Sequence, residues 1–279
     1  MVSGQAAVRI KDVFERTRAE GRAALVGYLP VGYPDVETSL RAMRTVVEAG
    51  ADVVEVGFPY SDPMMDGPTI QQAAVTALEA GTRLPHVFDA VRTVTQAGAA
   101  AVVMSYWNPI LSYGVDRFAA DLAAAGGSGV ITPDLIPDEA DEWMRAADRH
   151  GLATIFLVAP SSTPERLAMT TGNCRGFVYV ASTMGVTGAR TSVGAGARDL
   201  VGRARAVTDL PLAVGLGVST RAQAADVASF ADGVIVGSAL VAALGQDASS
   251  ENPGDLVNLT EVVTDLGAGV REGASAGRR

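Results

Sequence analysis

Apolar and polar positions divide the chain into short apolar runs separated by longer amphipathic stretches. Ala23 to Leu29, Asp52 to Phe58, Ala100 to Tyr106 and Gly129 to Thr132 read as strands one to four. Ala153 to Ala159, Gly176 to Ala181, Pro211 to Leu216 and Gly233 to Val236 read as strands five to eight. The runs are nearly continuous in hydrophobicity and do not alternate, as expected of parallel strands covered on both faces. Residues 5 to 20 set Val8, Ile10, Val13 and Phe14 among charges, which predicts an amphipathic helix before the first strand. Asp35 is placed to cap a helix through Val47. Thr69 to Ala80 and His86 to Gln96 predict two helices in the long connection between strands two and three. Further helices are predicted over Val115 to Ala125, from near Asp138 to His150, from about Thr163, up to about Val207, from Thr220 and from Ser238.

Eight strand–helix units in one chain of 279 residues predict an α/β fold, a (β/α)8 TIM barrel forming a single domain over 1–279. It carries an N-terminal helix and an extra helix after strand two. A doubly wound sheet would place a glycine-rich phosphate loop after the first strand. Here that position holds Pro30-Val-Gly-Tyr-Pro34. The stretch from 267 to 279 is rich in Gly, Ala and Arg and predicts a frayed end.

Composition narrows the function. A net charge of −9 argues against a nucleic-acid surface. One cysteine and two histidines make a structural zinc site a poor fit, so no metal is expected. The absence of an apolar run long enough for a membrane span and of a signal-like N-terminus predicts a cytoplasmic protein. His86 begins one predicted helix and His150 ends another, which suits capping or solvation.

Candidate chemistry centres on strand two. Glu55 lies inside an apolar run, where a carboxylate is costly unless it is paired or used. The loop beyond it carries Asp62 and Asp66 and is stiffened by Pro59, Pro63 and Pro68. Asp-Pro and Asp-Gly pairs are also ordinary turn chemistry. In a barrel, however, the C-terminal strand ends form the site. That brings Glu55, Asp66, Tyr106, Asn108, Asp134, Tyr179 and the 183–196 loop to one mouth. Gly215-Leu-Gly217-Val-Ser219 and Gly237-Ser238 follow strands seven and eight, where backbone N–H groups and helix N-termini can hold a phosphate. Met64-Met65 and Trp107 and Pro109 beside Asn108 are candidate partner surface.

These segments carry a family resemblance over nearly the whole chain. Glu55-Val-Gly-Phe-Pro-Tyr-Ser-Asp-Pro-Met-Met-Asp66-Gly-Pro-Thr-Ile-Gln71 is long and specific; Tyr106-Trp-Asn108-Pro, Gly185-Val-Thr187-Gly188 and Gly215-Leu-Gly217-Val-Ser with Gly237-Ser238 follow in order. The chain resembles the α subunits of tryptophan synthase. The resemblance implies retro-aldol cleavage of indole-3-glycerol phosphate to indole and glyceraldehyde 3-phosphate, with no cofactor in this chain. It implies an α2β2 heterotetramer in which a β subunit uses pyridoxal phosphate to join indole to serine. It assigns Glu55 as the acid–base residue and Asp66 as the acceptor of the indole N–H. It places Tyr28, Tyr106, Tyr179 and Thr187 against substrate, and Gly188, Gly217, Gly237 and Ser238 at the phosphate. The chain departs from the family pattern at Tyr28-Leu-Pro-Val-Gly-Tyr33-Pro34, where many members carry Phe-x-Thr-x-Gly-Asp-Pro. It also departs at Leu216, where an aromatic is usual, and at Thr183, where an arginine often stands.

Two alternatives stand beside this reading. A related phosphate-binding barrel that makes indole-3-glycerol phosphate would need a lysine on a strand, whereas the single lysine is Lys11, in the N-terminal helix. A subunit that binds ligand and activates a partner without turnover would not need both Glu55 and Asp66.

Overall fold

Each apolar run forms a parallel strand, and the strands wrap into a barrel. The computed structural model describes residues 9–181, 194–215, 217–250 and 255–276. In chain order the strands are β1 (Ala24–Pro30), β2 (Val53–Gly57), β3 (Ala100–Met104), β4 (Gly129–Ile131), β5 (Ala153–Ile155), β6 (Leu157–Val158), β7 (Val178–Ala181), β8 (Leu212–Gly215) and β9 (Gly233–Val236). Their order in the sheet is β5-β4-β3-β2-β1-β9-β8-β7-β6. Strands β5 and β6 are two halves of the fifth apolar run, interrupted at Phe156. The first half pairs with β4 and the second with β7. Across the break the Thr154 carbonyl accepts from Arg175 N–H at 2.8 Å and the Phe156 carbonyl from Tyr179 N–H at 3.2 Å. This run therefore bridges the two ends of the sheet, and eight barrel strands result from nine segments.

The helices in chain order are α1 (Ile10–Ala19), α2 (Val36–Glu48), α3 (Pro68–Glu79), α4 (Leu84–Gln96), α5 (Trp107–Tyr113) and α6 (Val115–Ala124). They continue with α7 (Asp141–His150), α8 (Pro164–Asn173), α9 (Gly194–Arg205), α10 (Arg221–Ala228), α11 (Ser238–Ala248) and α12 (Val257–Ala276). The expected N-terminal helix is α1, and α3 is the extra helix after strand two. Asp35 caps α2 as expected, its Oδ1 accepting from Thr38 N–H at 2.8 Å.

Three features depart from expectation. Short α5 follows β3 directly. A 3-10 turn at Pro137–Glu139 precedes α7, which begins only at Asp141. The stretch from 267, expected to fray, continues α12 through Ala276. Helix α12 packs against α10, α11 and α2 and completes the outer layer, while α11 is a short additional helix between the last strand and that layer. The physical reason lies in the glycines that suggested disorder. A Cβ on Gly269 would strike the backbone carbonyl of Arg221, and one on Gly273 that of Ala225. Their bare backbones let α12 lie directly against α10.

Inside the barrel, alternate strand residues such as Val26, Val53, Val102, Ile131, Ile155 and Ala213 fill the lower lumen. Helix α1 closes the foot with Ile10, Val13 and Phe14, and the Phe14 and Phe177 rings lie 5.5 Å apart. An ionic clamp fastens this end. Arg22 Nη1 donates to Asp52 Oδ2 at 2.6 Å and Nη2 to Oδ1 at 2.8 Å, and Arg16 Nη2 reaches Oδ1 at 3.0 Å. Apolar filling stops at the level of Glu55, where the upper lumen opens.

Candidate active site

Strand register sets the floor of the site. Tyr28 on β1 stands beside Glu55 on β2, and Glu55 beside Val102 on β3. Because alternate residues face the same way, Tyr28, Glu55, Met104 and Tyr179 all point into the upper lumen. The resulting cavity is lined by Tyr28, Glu55, Asp66, Ile70, Met104, Tyr179, Gly215, Gly217, Ile235, Gly237 and Ser238. Of the residues singled out in the sequence, Tyr28, Glu55, Asp66, Tyr179, Gly217, Gly237 and Ser238 are thus brought together. Thr187 and Gly188 lie outside the described residues, as do Thr183 and Leu216.

Two glycines make room for the tyrosines. A Cβ on Gly57 would stand 2.6 Å from the Tyr28 ring and hydroxyl, and one on Gly215 would collide with the Tyr179 hydroxyl. Both rings therefore lie against bare strand backbone and wall the cavity, Tyr28 beside Glu55 and Tyr179 from β7.

Glu55 is 1% exposed, and its Oε1 is buried without a hydrogen-bond partner among the described residues. Burial disfavours the carboxylate and raises its pKa from 4.5 to about 8. Near pH 7 Glu55 is a carboxylic acid able to donate a proton. Asp66 is half-buried on the loop between β2 and α3. Burial raises its pKa as well, but a hydrogen bond from Tyr106 opposes the rise. Burial, with the nearby Asp66 and Glu55 carboxylates, keeps the Tyr28 and Tyr179 phenols neutral, well above their ordinary pKa.

The far side of the cavity is backbone. Gly217 has φ +68°, a left-handed conformation that glycine adopts without a Cβ penalty. Gly237 forms the N-cap of α11 with no side-chain cap bond, and Ser238 opens the helix. A helix N-terminus presents N–H groups and a partial positive charge, which suits an anion.

The family model described as tryptophan synthase alpha chain matches residues 14–270. The chain belongs to the tryptophan synthase alpha chain family. The tryptophan synthase alpha chain of Mycobacterium marinum is 61% identical over 271 residues, covering 97% of this chain and 98% of its own. A solved structure of Mycobacterium tuberculosis tryptophan synthase superposes with a TM-score of 0.89 at 59% identity, covering 95% of this chain and 99% of that one. The alpha subunit from Legionella pneumophila keeps a TM-score of 0.84 at 32% identity, covering 94% of this chain and 98% of its own. A (β/α)8 barrel is therefore the fold of this tryptophan synthase alpha family member.

Some expected residues sit elsewhere. Tyr106 is 6% exposed but stands behind Asp66, its hydroxyl accepting from Met65 N–H at 3.0 Å. Asp134 reaches back to the preceding strand–helix unit. Both its carboxylate oxygens accept from Trp107 N–H, at 2.9 and 3.1 Å, so it caps α5 from the neighbouring loop. His86 Nδ1 accepts from Arg83 N–H at 3.1 Å, and His150 Nε2 lies 3.1 Å from Asp116; both are remote from the cavity. Ile70, Met104 and Ile235 were not picked out in the sequence. Met104 and Ile235 could have been found by counting from Val102 and Gly233 in steps of two. Ile70 is fixed only by how α3 folds over the mouth.

No group of three or more His, Cys, Asp and Glu side chains is placed to hold a metal among the described residues. No described helix is long and apolar enough to cross a membrane.

Proposed function

We propose that the cavity between Glu55 and Asp66 is where this chain, a lyase of the tryptophan synthase alpha chain family, cleaves indole-3-glycerol phosphate. The indole ring lies between the two acids, walled by Tyr28 and Tyr179, with the phosphate toward Gly217, Gly237 and Ser238. The observation that carries this assignment is the wholly buried Glu55 carboxyl, which lines the cavity with its Oε1 unpartnered among the described residues; burial there raises its pKa to about 8 and favours the acid form.

In the first step the Glu55 carboxyl gives its proton to indole C3. The ring becomes an iminium, whose charge Asp66 stabilises through the ring N–H. In the second step the Glu55 carboxylate takes the proton from the hydroxyl on the carbon attached to C3. The oxygen electrons form the aldehyde C=O, and the C–C bond electrons return to the ring and neutralise it. Indole and glyceraldehyde 3-phosphate leave, and Glu55 is again protonated. Proton delivery and removal are thus served by one carboxyl poised near the working pH, and no external acceptor is needed.

The reading includes no cofactor in this chain, with pyridoxal phosphate belonging to a β subunit. It also includes an α2β2 assembly in the cytoplasm. Met64, 77% exposed beside the cavity mouth, and Leu111 and Ile136 are exposed apolar side chains that suit a docking face on that side.

The test is incubation of the purified chain with indole-3-glycerol phosphate, alone and with a tryptophan synthase β subunit. Slow indole release alone and strong stimulation with the β subunit are expected. No product in either case would refute the assignment.

A further inference from the structure

Tyr106 was expected to contact substrate, yet it does not line the cavity. Its hydroxyl instead sits under the loop that carries Asp66. It accepts from Met65 N–H at 3.0 Å and lies 3.5 Å from Asp66 Oδ2, to which it donates. The loop is held from a second side, because Gln71 Nε2 donates to the Asp66 carbonyl at 2.8 Å. The Tyr106 ring is fixed in turn by Tyr60, stacked on it with centroids 5.1 Å apart and planes 29° from parallel. Three neighbouring features thus meet on one phenol: the backbone before Asp66, its carboxylate, and an aromatic partner from the start of the same loop.

We propose that Tyr106 is a positioning residue for Asp66, using its hydroxyl to fix the loop backbone and to occupy Oδ2 so that Oδ1 is aimed at the ring N–H. This deepens the proposed reaction and rests on that reading. The loop is 10 residues long between Gly57 and Pro68 and holds two prolines, Pro59 and Pro63, but no regular structure. Its own stiffness does not choose the carboxylate rotamer; a buried phenol in hydrogen-bond reach does. The hydrogen bond also favours the ionised form of Asp66, which is the form that stabilises a cationic ring.

The test uses Tyr106→Phe, which keeps the ring and its stacking and removes only the hydroxyl. Indole release from indole-3-glycerol phosphate is followed against pH. Positioning predicts that kcat falls about ten- to hundredfold, the weight of a hydrogen bond to a charged group, while KM changes less than threefold. It also predicts that the acid limb of the pH profile moves to higher pH, because Asp66 loses a bond that lowers its pKa. Tyr60→Leu, which keeps the hydroxyl but removes the stack, should give a smaller loss in the same direction. An unchanged kcat and acid limb in Tyr106→Phe would overturn the proposal. So would a raised KM at unchanged kcat, which would return Tyr106 to substrate binding. If wild type makes indole and Glu55→Gln does not, the reaction assignment stands whichever way Tyr106 falls. If wild type makes none, both fall.

Discussion

Asp52, just before β2, and Glu55, within it, stand three residues apart, both buried, and their surroundings drive them in opposite directions. Asp52, 6% exposed at the foot, is gripped by Arg22 and Arg16. Glu55, 1% exposed at the level where the lumen opens, has no partner for Oε1 among the described residues. Burial alone would raise both pKa values, but at Asp52 the hydrogen bonds from Arg22 and from Leu25 N–H outweigh it and the net shift is downward. Three residues of chain thus separate a fixed anion that holds the fold from a buried acid that the proposed reaction uses.

Glu55→Gln should lower indole release by about 10²–10⁴-fold, the usual weight of a general acid–base group. In wild type, kcat/KM should decline as pH rises through about 8, because the proton-donating form is lost. Stability carries the same signature. The folded pKa lies above the unfolded value, so the folded state holds the extra proton and unfolding free energy falls with rising pH from about 4.5 to about 8. The slope is ~1.4 kcal/mol per pH unit at most. Urea titrations across that window should show the slope in wild type and lose it in the Gln variant. Equal slopes would mean that Glu55 is not buried as an acid.

Arg22→Ala should destabilise the fold by about 2–4 kcal/mol, since the half-exposed Arg16 is then the one cation left beside Asp52 among the described residues. The folded pKa of Asp52 is lowered, so its contribution is present above the unfolded value of 3.8 and is lost as pH falls through the folded value. Removing Arg22 should therefore shrink the difference in stability between pH 6 and strongly acidic solution. Chemical denaturation at both pH values decides this, and activity per folded molecule should be unchanged.

Gly237→Ala should act on the phosphate and spare the fold. A Cβ there would meet Tyr28 Cδ1 at 3.4 Å and Ile70 Cδ1 at 3.6 Å, ordinary contact distances. KM for indole-3-glycerol phosphate should rise about tenfold, with thermal stability within about 1 kcal/mol of wild type. Unchanged KM would move the phosphate elsewhere in the barrel mouth.

Gly273→Leu should force α12 off α10, because even a Cβ at that position would collide with the Ala225 carbonyl. A loss of about 1–3 kcal/mol is expected from such overpacking, read as a lower midpoint in thermal or urea unfolding. A neutral substitution would show that the last turns of α12 contribute nothing to the barrel.

The barrel was legible because its strands are continuous apolar runs, and β9 begins and ends at the residues expected. Glu55 was legible because an acid inside such a run demands a reason. Helix α12 was not, since Gly267, Gly269 and Gly273 weaken a helix in isolation, and Gly269 and Gly273 become useful only against the backbone of α10. Helix α5 was hidden by Pro109 and by Asp134, whose cap arrives from a loop 27 residues away. The place of Tyr106 behind Asp66 was hidden for the same reason: 40 residues separate the two, and no local pattern reveals which side of a loop a phenol will take.

The stoppering of the lumen by Ile10, Val13 and Phe14 bears on traffic as well as on stability. A well sealed at its base is filled and emptied over its rim. With the foot packed by α1, the aldehyde does not drain away beneath while indole departs above.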